Sequence, residues 1–445
     1  MKDRQTEAQP TGVPNKAKQV GDTQGKWNWV EPSVWTERML TALEKGVRGG
    51  KWFSLIDKVS SRANLLASFM KVKANKGSAG VDHVTIEMFE ARLEENLERL
   101  GRELISGSYQ PQAIRRVWIP KTGSKKQRPL GIPTIRDRVV QGGLRNAMEP
   151  IFEKEFAEES YGFRPGRGAK DALRRVDGWL KEGYTYVVDA DLESYYDTIP
   201  QEPLMDRVEE HVADGKVLEL IRRYLNQEVM ESAKRWTPEK GTPQGAVISP
   251  LLSNIYLNPL DHLMAGKGYK MVRYADDFVI LCESEREAQG ALEEVSRWEG
   301  KAGLRLHPEK TRIVDATQPG GFDFLGYHFE RGYRWPSKKS EKKLRDTIRK
   351  KTKRTRGDSL QTIIVDVNCT MRGWFEYFKH SHKTHFPPLD AWTRMRLRSI
   401  LRKRRGGKGR GRGRDHSRWT NTFFADQGLF SLVTAFEAAS QSSRR

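Results

Sequence analysis

Apolar residues recur at spacings of three and four in the first quarter of the chain, which is the period of an α-helix with one buried face. The positions with this spacing are Leu40, Leu43, Val47, Met88, Phe89, Leu93, Leu97 and Leu100. Residues 1–30, by contrast, are rich in Gln, Lys, Gly, Pro and Thr and have little apolar surface to bury. The pattern predicts a mobile polar leader over residues 1–30 and a helical region over residues 31–111.

The pattern changes near residue 112, where runs of β-branched and aromatic residues alternate with helical stretches. The predicted elements are helices over 137–152 and 169–180 and strands over 184–190, 271–274 and 278–282. Strands that alternate with helices in this way predict a mixed domain over residues 112–335, of the α+β class.

A helical period returns after residue 336, now with many cations opposite the apolar face. The apolar positions are Leu344, Ile348, Leu360, Ile363, Ile364, Val367 and Met371. Residues 405–418 then alternate Gly with Lys or Arg, a composition typical of a flexible polycationic linker. The pattern predicts a helical domain over 336–404, followed by a basic linker and a short C-terminal segment over 405–445.

Charge indicates the kind of partner. The 445 residues include 79 Lys and Arg against 58 Asp and Glu, a net charge of +21. Residues 338–358 contain eleven cations and three acids, and residues 394–418 contain twelve cations and one acid. Such a field attracts polyanions, either nucleic acid or an acidic membrane surface. The two basic tracts are therefore predicted to be binding surfaces or tails.

Several classes of protein are disfavoured by what the sequence lacks. Only two cysteines are present, at Cys282 and Cys369, so neither a disulfide framework nor a four-cysteine zinc site is available. The sequence has no apolar run of 18 residues and no signal-peptide pattern. We therefore expect no membrane partner and a cytoplasmic location.

Candidate chemistry lies where two predicted strands meet acidic residues. Asp276 and Asp277 stand between two strand-like runs, at the predicted tip of a hairpin. Asp189 and Asp191 follow another buried strand about 85 residues earlier. Adjacent carboxylates repel each other and need a cation. Two strands that end in carboxylates can bring three of them together around two metal ions such as Mg²⁺, the arrangement used in phosphoryl transfer.

A Gly- and Pro-rich segment beginning at Gly241 lies between these strands, and the whole series resembles a known family. The blocks are Asp191 to Asp197, Pro243 to Gly245 with Ser249 to Leu252, Tyr274 to Asp277, Leu306 to Thr311, and Phe324 to Tyr327. In this order they resemble motifs A to E of the reverse transcriptases, specifically the group II intron-encoded reverse transcriptase and maturase proteins. Residues 75–82, 118–121 and 128–141 resemble N-terminal and finger motifs of that branch, and residues 371–378 resemble its maturase domain.

The resemblance implies a right-hand polymerase fold, with fingers and a palm that contains an antiparallel sheet. A helical thumb, the maturase domain X, and a basic C-terminal DNA-binding tail would follow. Asp191, Asp276 and Asp277 match the catalytic, metal-binding carboxylates, and the backbone carbonyl of Leu192 joins the metal ligands. Two Mg²⁺ ions are implied, with Mn²⁺ as an alternative, and Asp189 is expected to lie outside the ligand set.

The resemblance also implies substrate contacts. Tyr196 falls where the family places an aromatic ring against the sugar of the incoming nucleotide, which favours deoxynucleotides. The remaining residues implied in dNTP binding are Lys121, Arg128, Gln244 and Lys310. Arg suits phosphate because its planar fork bonds two oxygens at once. Lys310 is expected near the leaving pyrophosphate.

RNA contacts are expected from the basic loop over residues 161–168 and from the thumb. The candidate residues are Arg164, Arg167, Lys342, Lys343, Arg345, Arg349, Lys350 and Arg372. Cationic helix faces suit recognition of structured RNA through phosphates and shape. No His-Asn-His nuclease module follows, so cleavage of a second DNA strand is not predicted.

The function implied is an RNA-directed DNA polymerase encoded by a group II intron, which also binds its intron RNA as a splicing maturase. It would support retrohoming by target-primed reverse transcription, with an RNA template, a DNA primer and dNTPs. Two alternatives stay open. One is an RNA-binding splicing cofactor with a silent polymerase site, and the other is a domesticated or defence-associated reverse transcriptase.

Overall fold

The computed structural model of the chain describes residues 26–120, 127–232 and 234–442. The helices before the first strand are α1 (Glu37–Lys45), α2 (Ile56–Ser60), α3 (Arg62–Ala74), α4 (Ile86–Glu90) and α5 (Leu93–Ser106). Thr36, Ser61 and Thr85 cap three of them, because each side chain accepts a hydrogen bond from a backbone N–H in the first turn. Leu97 and Leu100, on the predicted apolar face of α5, are buried.

The polar leader predicted over residues 1–30 is too long. Trp27 is only 3% exposed, its indole N–H donates to Glu44 Oε1 at 2.7 Å, and its ring contacts Trp29. Residues 26–30 therefore pack against the first helix, because two Trp rings supply the apolar area that the surrounding polar residues lack. Residues 1–25 lie outside the described part of the chain.

Eleven strands and seven further helices form the middle of the described chain. The strands are β1 (Ile114–Pro120), β2 (Gln127–Ile132), β3 (Tyr186–Asp191), β4 (Val229–Glu231), β5 (Lys234–Trp236), β6 (Lys270–Tyr274), β7 (Asp277–Cys282), β8 (Arg312–Asp315), β9 (Phe322–Phe324), β10 (Tyr327–Glu330) and β11 (Tyr333–Pro336). The helices are α6 (Ile135–Glu153), α7 (Ala169–Lys181), α8 (Tyr195–Thr198), α9 (Gln201–Glu209), α10 (Gly215–Leu225), α11 (Ser249–Gly266) and α12 (Glu285–Ala302). The predicted α+β class is confirmed.

The palm sheet has the strand order β6-β7-β3-β8, and each neighbouring pair is antiparallel. Alternate residues of its strands enter two different cores. Val188 and Ile280 pack into the larger core with the helices, whereas Val187 and Val279 pack into a second core beneath the β9-β10-β11 sheet. Burial on both faces explains the near-continuous apolar runs of the central strands.

A second four-stranded sheet, in the order β2-β1-β4-β5, forms the finger region. Strands β1 and β2 make an antiparallel hairpin with Ile119 opposite Arg128, and β4 pairs with β1 in parallel. Residues 121–126, between these two strands in the sequence, lie outside the described part of the chain. Helix α6 follows β2 and is capped by Thr134, whose side chain accepts a hydrogen bond from the Asp137 N–H.

The C-terminal part of the chain is helical, as predicted. Its helices are α13 (Lys338–Lys351), α14 (Leu360–Phe378), α15 (Phe386–Arg404), α16 (Arg414–Arg418), α17 (Asn421–Asp426) and α18 (Leu432–Ser442). Leu344, Ile363 and Leu397 share a core of their own, and Trp419 and Leu432 also belong to it. The thumb core therefore continues past residue 404, where the sequence pattern predicted its end.

The flexible linker predicted over residues 405–418 is instead packed against α15. Asp415 accepts a hydrogen bond from Arg402 at 2.7 Å, and the Gly411 N–H donates to Ser399 Oγ at 3.1 Å. A Cβ at Gly411 would lie 2.5 Å from Arg398 Cβ. Glycine is required there because the chain runs so close to the helix. Within the described residues, no helix is both long and apolar enough to cross a bilayer.

Candidate active site

Three carboxylates meet at one end of the palm sheet. Asp191, the last residue of β3, lies directly opposite Asp277, the first residue of β7. Directly opposed residues of an antiparallel pair project to the same face of the sheet. Asp276 lies in the two-residue turn between Tyr274 and Asp277, which are paired with each other. The hairpin predicted from the sequence is confirmed.

Burial and like charge both act on this cluster. Burial, and after it the negative charges of Asp276, Asp189 and Asp191, together raise the pKa of Asp277 to about 7. Burial also raises the pKa of Asp276, to which the charge of Asp191 adds. Like charges directly opposite each other destabilise a sheet. A cation at this position would relieve that repulsion.

Lys310 supplies one positive charge at the cluster, because its ammonium group forms an ion pair with Asp191 Oδ2. The loop that carries Lys310 is held against the end of β3 by two backbone hydrogen bonds. The His307 N–H donates to the Asp191 carbonyl at 2.7 Å, and the Glu193 N–H donates to the Arg305 carbonyl at 2.9 Å. Leu192 lies between them in a bridge with Leu306.

The donor set at the cluster consists of oxygens, which Mg²⁺ and Mn²⁺ prefer. Among the described residues, no three His, Cys, Asp or Glu side chains are already grouped as a metal site. Asp191 forms an ion pair with Lys310. Asp276 and Asp277 repel each other, and the charge of Asp276 raises the pKa of Asp277. Asp276 and Asp277 have raised pKa values, and the cluster offers only oxygen donors. Both features are consistent with a divalent cation, so the residues fit the predicted ion.

Tyr196 and Gln244 both line one cavity of about 470 Å³. The Thr242 N–H donates to the Tyr196 carbonyl at 2.7 Å, and the Gly131 N–H donates to the Gln244 carbonyl at 2.6 Å. The Gly-rich loop thus joins the palm to finger strand β2. A Cβ at Gly245 would lie 2.3 Å from the Gly131 carbonyl oxygen, which explains the glycine. The two predicted nucleotide contacts therefore face one cavity.

Of the two predicted phosphate contacts in the finger region, the structure describes one. Arg128 is exposed on β2, whereas Lys121 lies outside the described residues. Arg128 thus has a side chain that is accessible to an anion.

The basic loop over residues 161–168 differs from the prediction. The side chain of Arg164 is only 2% exposed and pairs with Glu153 at 2.7 Å. Its guanidinium also donates to the carbonyls of Ala157 and Ser160. Arg164 is therefore not a template contact, because a buried guanidinium needs these partners and has used its donors on them. Arg167 is half-buried and donates to the Glu158 carbonyl.

The predicted thumb cations on α13 differ in exposure, and two of them lie over the ring of Trp392. Lys342, Lys343, Arg349 and Lys350 are exposed on α13. Arg345 is half-buried, pairs with Glu341 at 2.7 Å, and stacks on Trp392 with its guanidinium carbon 5.0 Å from the ring centre. Arg349 also lies over that ring. Trp392 thus orders part of the cationic face.

Arg372 belongs to α14 and is exposed. Its guanidinium lies 4.9 Å from the centre of the Phe430 ring.

Comparisons with known proteins agree with this geometry. Residues 119–329 match the family model described as reverse transcriptase (RNA-dependent DNA polymerase), and residues 341–419 match the group II intron, maturase-specific domain. Protein YkfC of Escherichia coli (strain K12) is 36% identical over 330 residues, which are 65% of this chain and 85% of that protein. The chain belongs to the group II intron reverse transcriptase and maturase family.

Two other relatives of the family are similar over shorter shares. Group II intron-encoded protein LtrA of Lactococcus lactis subsp. cremoris is 29% identical over 58% of this chain and 54% of its own length. Nuclear intron maturase 2, mitochondrial, of Arabidopsis thaliana is 28% identical over 43% of this chain and 31% of its own length. The chain thus spans about half of LtrA. Its family makes it a reverse transcriptase by enzyme class, with a region that matches the maturase-specific domain.

Sequence reasoning missed one residue beside this site. Arg273 is completely buried directly before the Tyr274 to Asp277 run. A charge inside an apolar strand run was the available signal for Arg273. Phe163 belongs to the loop predicted to contact RNA. It is 51% exposed, has a left-handed backbone with φ of 57°, and has its ring centre 6.4 Å from that of Tyr274.

Glu299 supports the loop that carries Lys310. It is 2% exposed, and burial raises its pKa to about 8 despite a hydrogen bond with the Leu306 backbone. The fold therefore keeps a proton that the unfolded chain releases above its ordinary pKa of 4.5. Glu299 accordingly contributes a penalty that is absent below pH 4.5, grows as pH rises, and is complete above about 8.

We expect Glu299→Gln to remove this pH dependence. The variant should gain stability over the wild type by a difference on the order of a few kcal/mol at high pH and by little at pH 5. Chemical denaturation at pH 5, 7 and 9 measures the difference. A difference that is equal at all three pH values would contradict the burial of a neutral carboxyl group.

Proposed function

We propose that this chain synthesises DNA on an RNA template with two Mg²⁺ ions, and that it acts as maturase for the intron RNA it binds. In retrohoming it would extend a DNA primer at the target site, using dNTPs. The observation that carries the polymerase proposal is the Asp191 and Asp277 pair in register, with Asp276 in the adjacent turn. A cytoplasmic location stays a prediction.

Each part of the site has a task in this proposal. Asp191, Asp276 and Asp277, with the Leu192 carbonyl, would hold the ions. Bound Mg²⁺ would activate the primer 3′-hydroxyl and stabilise the leaving pyrophosphate. Arg128 is exposed on the finger hairpin, where it is able to bind phosphate oxygens.

Lys310 is proposed to act on the leaving group. Its ammonium group forms an ion pair with Asp191, which places it at the carboxylate cluster. There it would neutralise negative charge on the pyrophosphate.

Tyr196 is proposed to select the sugar of the incoming nucleotide. Its half-buried ring lies in the cavity with Gln244 and is fixed edge-on against Tyr195, with ring centres 5.6 Å apart. A rigid ring leaves no room for a 2′-hydroxyl. Replacing Tyr196 by Val is therefore expected to lower the preference for dNTP over rNTP by roughly 10²-fold.

Single-nucleotide incorporation measures this preference as the ratio of kcat/KM for the two substrates. Tyr195→Phe is the matched control, because Tyr195 is buried and its hydroxyl donates to the Ser253 carbonyl. It should leave the ratio unchanged. An unaltered ratio in Tyr196→Val would remove Tyr196 from the sugar contact.

The maturase role is proposed from the thumb. The intron RNA would carry out splicing itself, and the protein would stabilise its active conformation by binding that conformation alone. Exposed cations on α13 are suited to phosphates, and the described C-terminal helices share one core that would keep this face rigid.

Primer extension by the wild-type chain on a generic RNA template tests the polymerase proposal. Synthesis of DNA in Mg²⁺ supports it. If the protein binds intron RNA and promotes splicing but makes no DNA, the chain is a splicing cofactor with a silent polymerase site.

A further inference from the structure

Arg273 has the largest completely buried side chain among the described residues, with 0% of it exposed. It lies in β6, two residues before the turn that carries Asp276. An unpaired guanidinium in a protein interior is strongly unfavourable, so its partners must be fixed in place. These partners show what Arg273 holds together.

The guanidinium joins three parts of the chain. Its Nε and Nη2 atoms donate to the two carboxylate oxygens of Asp261 at 2.7 and 2.5 Å. Nη1 donates to Asn254 Oδ1 and to the Ala275 carbonyl, both at 2.9 Å. Nη2 also donates to Ser160 Oγ at 2.8 Å. Helix α11, the loop before residue 161 and the aspartate turn are thus bonded to one side chain.

The turn itself needs such support. Ala275 has a φ of 61°, a left-handed conformation that is unfavourable for a residue with a Cβ. Gly162 closes the turn from its other side, because a Cβ there would lie 2.2 Å from the Ala275 nitrogen. The Gly162 carbonyl accepts a hydrogen bond from Asn254 Nδ2 at 2.8 Å. The Ala275 backbone directly before Asp276 is therefore contacted by Arg273 on one side and by Gly162 on the other.

We propose that Arg273, fixed by Asp261, is a positioning residue that sets the direction of the Asp276 and Asp277 carboxylates by holding the Ala275 carbonyl. The proposal rests on the polymerase function proposed above. It also links helix α11 to the aspartate turn. Because α11 directly follows the loop that carries Gln244, the nucleotide cavity and the carboxylates share one rigid support.

Arg273→Lys tests this role, because Lys keeps the charge but presents one nitrogen in place of three. A single ammonium group cannot reach Asp261, Asn254, Ser160 and Ala275 together. We expect the single-turnover rate of primer extension, per active site, to fall roughly 10²-fold, since small misplacements of catalytic groups have effects of this size. The KM for dNTP and the affinity for intron RNA should change little.

Two further variants separate positioning from loss of folding. Asn254→Ala keeps the Arg273 and Asp261 pair but removes the bonds to Nη1 and to Gly162, and should lower the rate about tenfold. Arg398→Lys is the matched control, because Arg398 is also buried but bonds Trp419 and Asn421 in the thumb. It should leave the rate per active site unchanged.

Binding of Mn²⁺ alone, followed by electron paramagnetic resonance, gives a readout that does not require DNA synthesis. Arg273→Lys should weaken it roughly tenfold or more, as for other residues that orient metal ligands. If the wild type binds Mn²⁺ but makes no DNA, the polymerase proposal fails. The Mn²⁺ affinity of Arg273→Lys relative to the wild type then still tests the positioning role. Unchanged Mn²⁺ affinity, or an equal loss of rate in Arg398→Lys, would overturn the role of Arg273.

Discussion

Replacing Asp276 and Asp277 together by Asn is expected to reduce DNA synthesis on an RNA template by at least roughly 10³-fold. Metal-ion stabilisation of the transition state is worth several kcal/mol, and each ~1.4 kcal/mol is a tenfold change in rate. Asn keeps the shape of both side chains but removes their negative charges. Single-turnover primer extension with saturating dNTP and Mg²⁺ measures the loss.

The same substitution should not unfold the protein. Since the pKa of Asp277 is raised to about 7, the fold disfavours its ionised form, and the resulting penalty grows as pH rises from 3.8 and is complete above about 7. In EDTA at pH 8 the Asn variant should therefore melt at a higher temperature than the wild type. If the variant is inactive but more stable, the carboxylates of Asp276 and Asp277 serve catalysis at a cost in the stability of the fold.

Asp189→Asn is the control for this experiment. Asp189 lies on β3 two residues before Asp191, hence on the same face of the sheet, and pairs with Arg312 at 3.3 Å. We predict that it lies outside the ligand set, so its loss should change the rate by less than about tenfold. If Asp189→Asn were as inactive as the double variant, the ligand set would have to be redrawn.

The palm was predictable because its signals are local. Two strand-like runs around Asp276 and Asp277 specify a hairpin, and the apolar run before Asp191 specifies a buried strand. The pairing of these strands, separated by about 85 residues, is not local information. The resemblance to a family supplied it, and the register of Asp191 opposite Asp277 is consistent with it.

The errors concern residues whose environment is decided by the fold. Arg164 has the composition of a nucleic-acid contact, yet Glu153 and two carbonyls hold it inside the loop. The Gly-rich tract after residue 405 has the composition of a linker, yet its glycines allow close packing on α15. In both cases a partner distant in sequence, or a close approach of two segments, overrode local composition.

The proposed maturase and polymerase functions lie on different parts of the chain, the thumb and the palm, so we expect substitutions to disable them separately. Replacing Lys343 and Lys350 by Gln is expected to weaken binding of intron RNA by roughly 10- to 100-fold, with little effect on primer extension of a short template. The two residues are exposed on α13, seven positions apart and hence on one helix face. Filter binding or fluorescence anisotropy at several salt concentrations measures the effect.

The salt dependence is the more specific result. Each phosphate contact releases condensed counterions when RNA binds, so the loss of a contact reduces the number of counterions that binding releases. Two lost contacts should reduce the slope of log K against log salt by roughly 1.4 to 1.8. Arg286→Gln with Lys301→Gln is the matched control, since both residues are exposed on palm helix α12 and the net charge falls equally. If this pair lowered the slope as much, RNA would be responding to overall charge, and the thumb face would lose its assignment as the intron-binding surface.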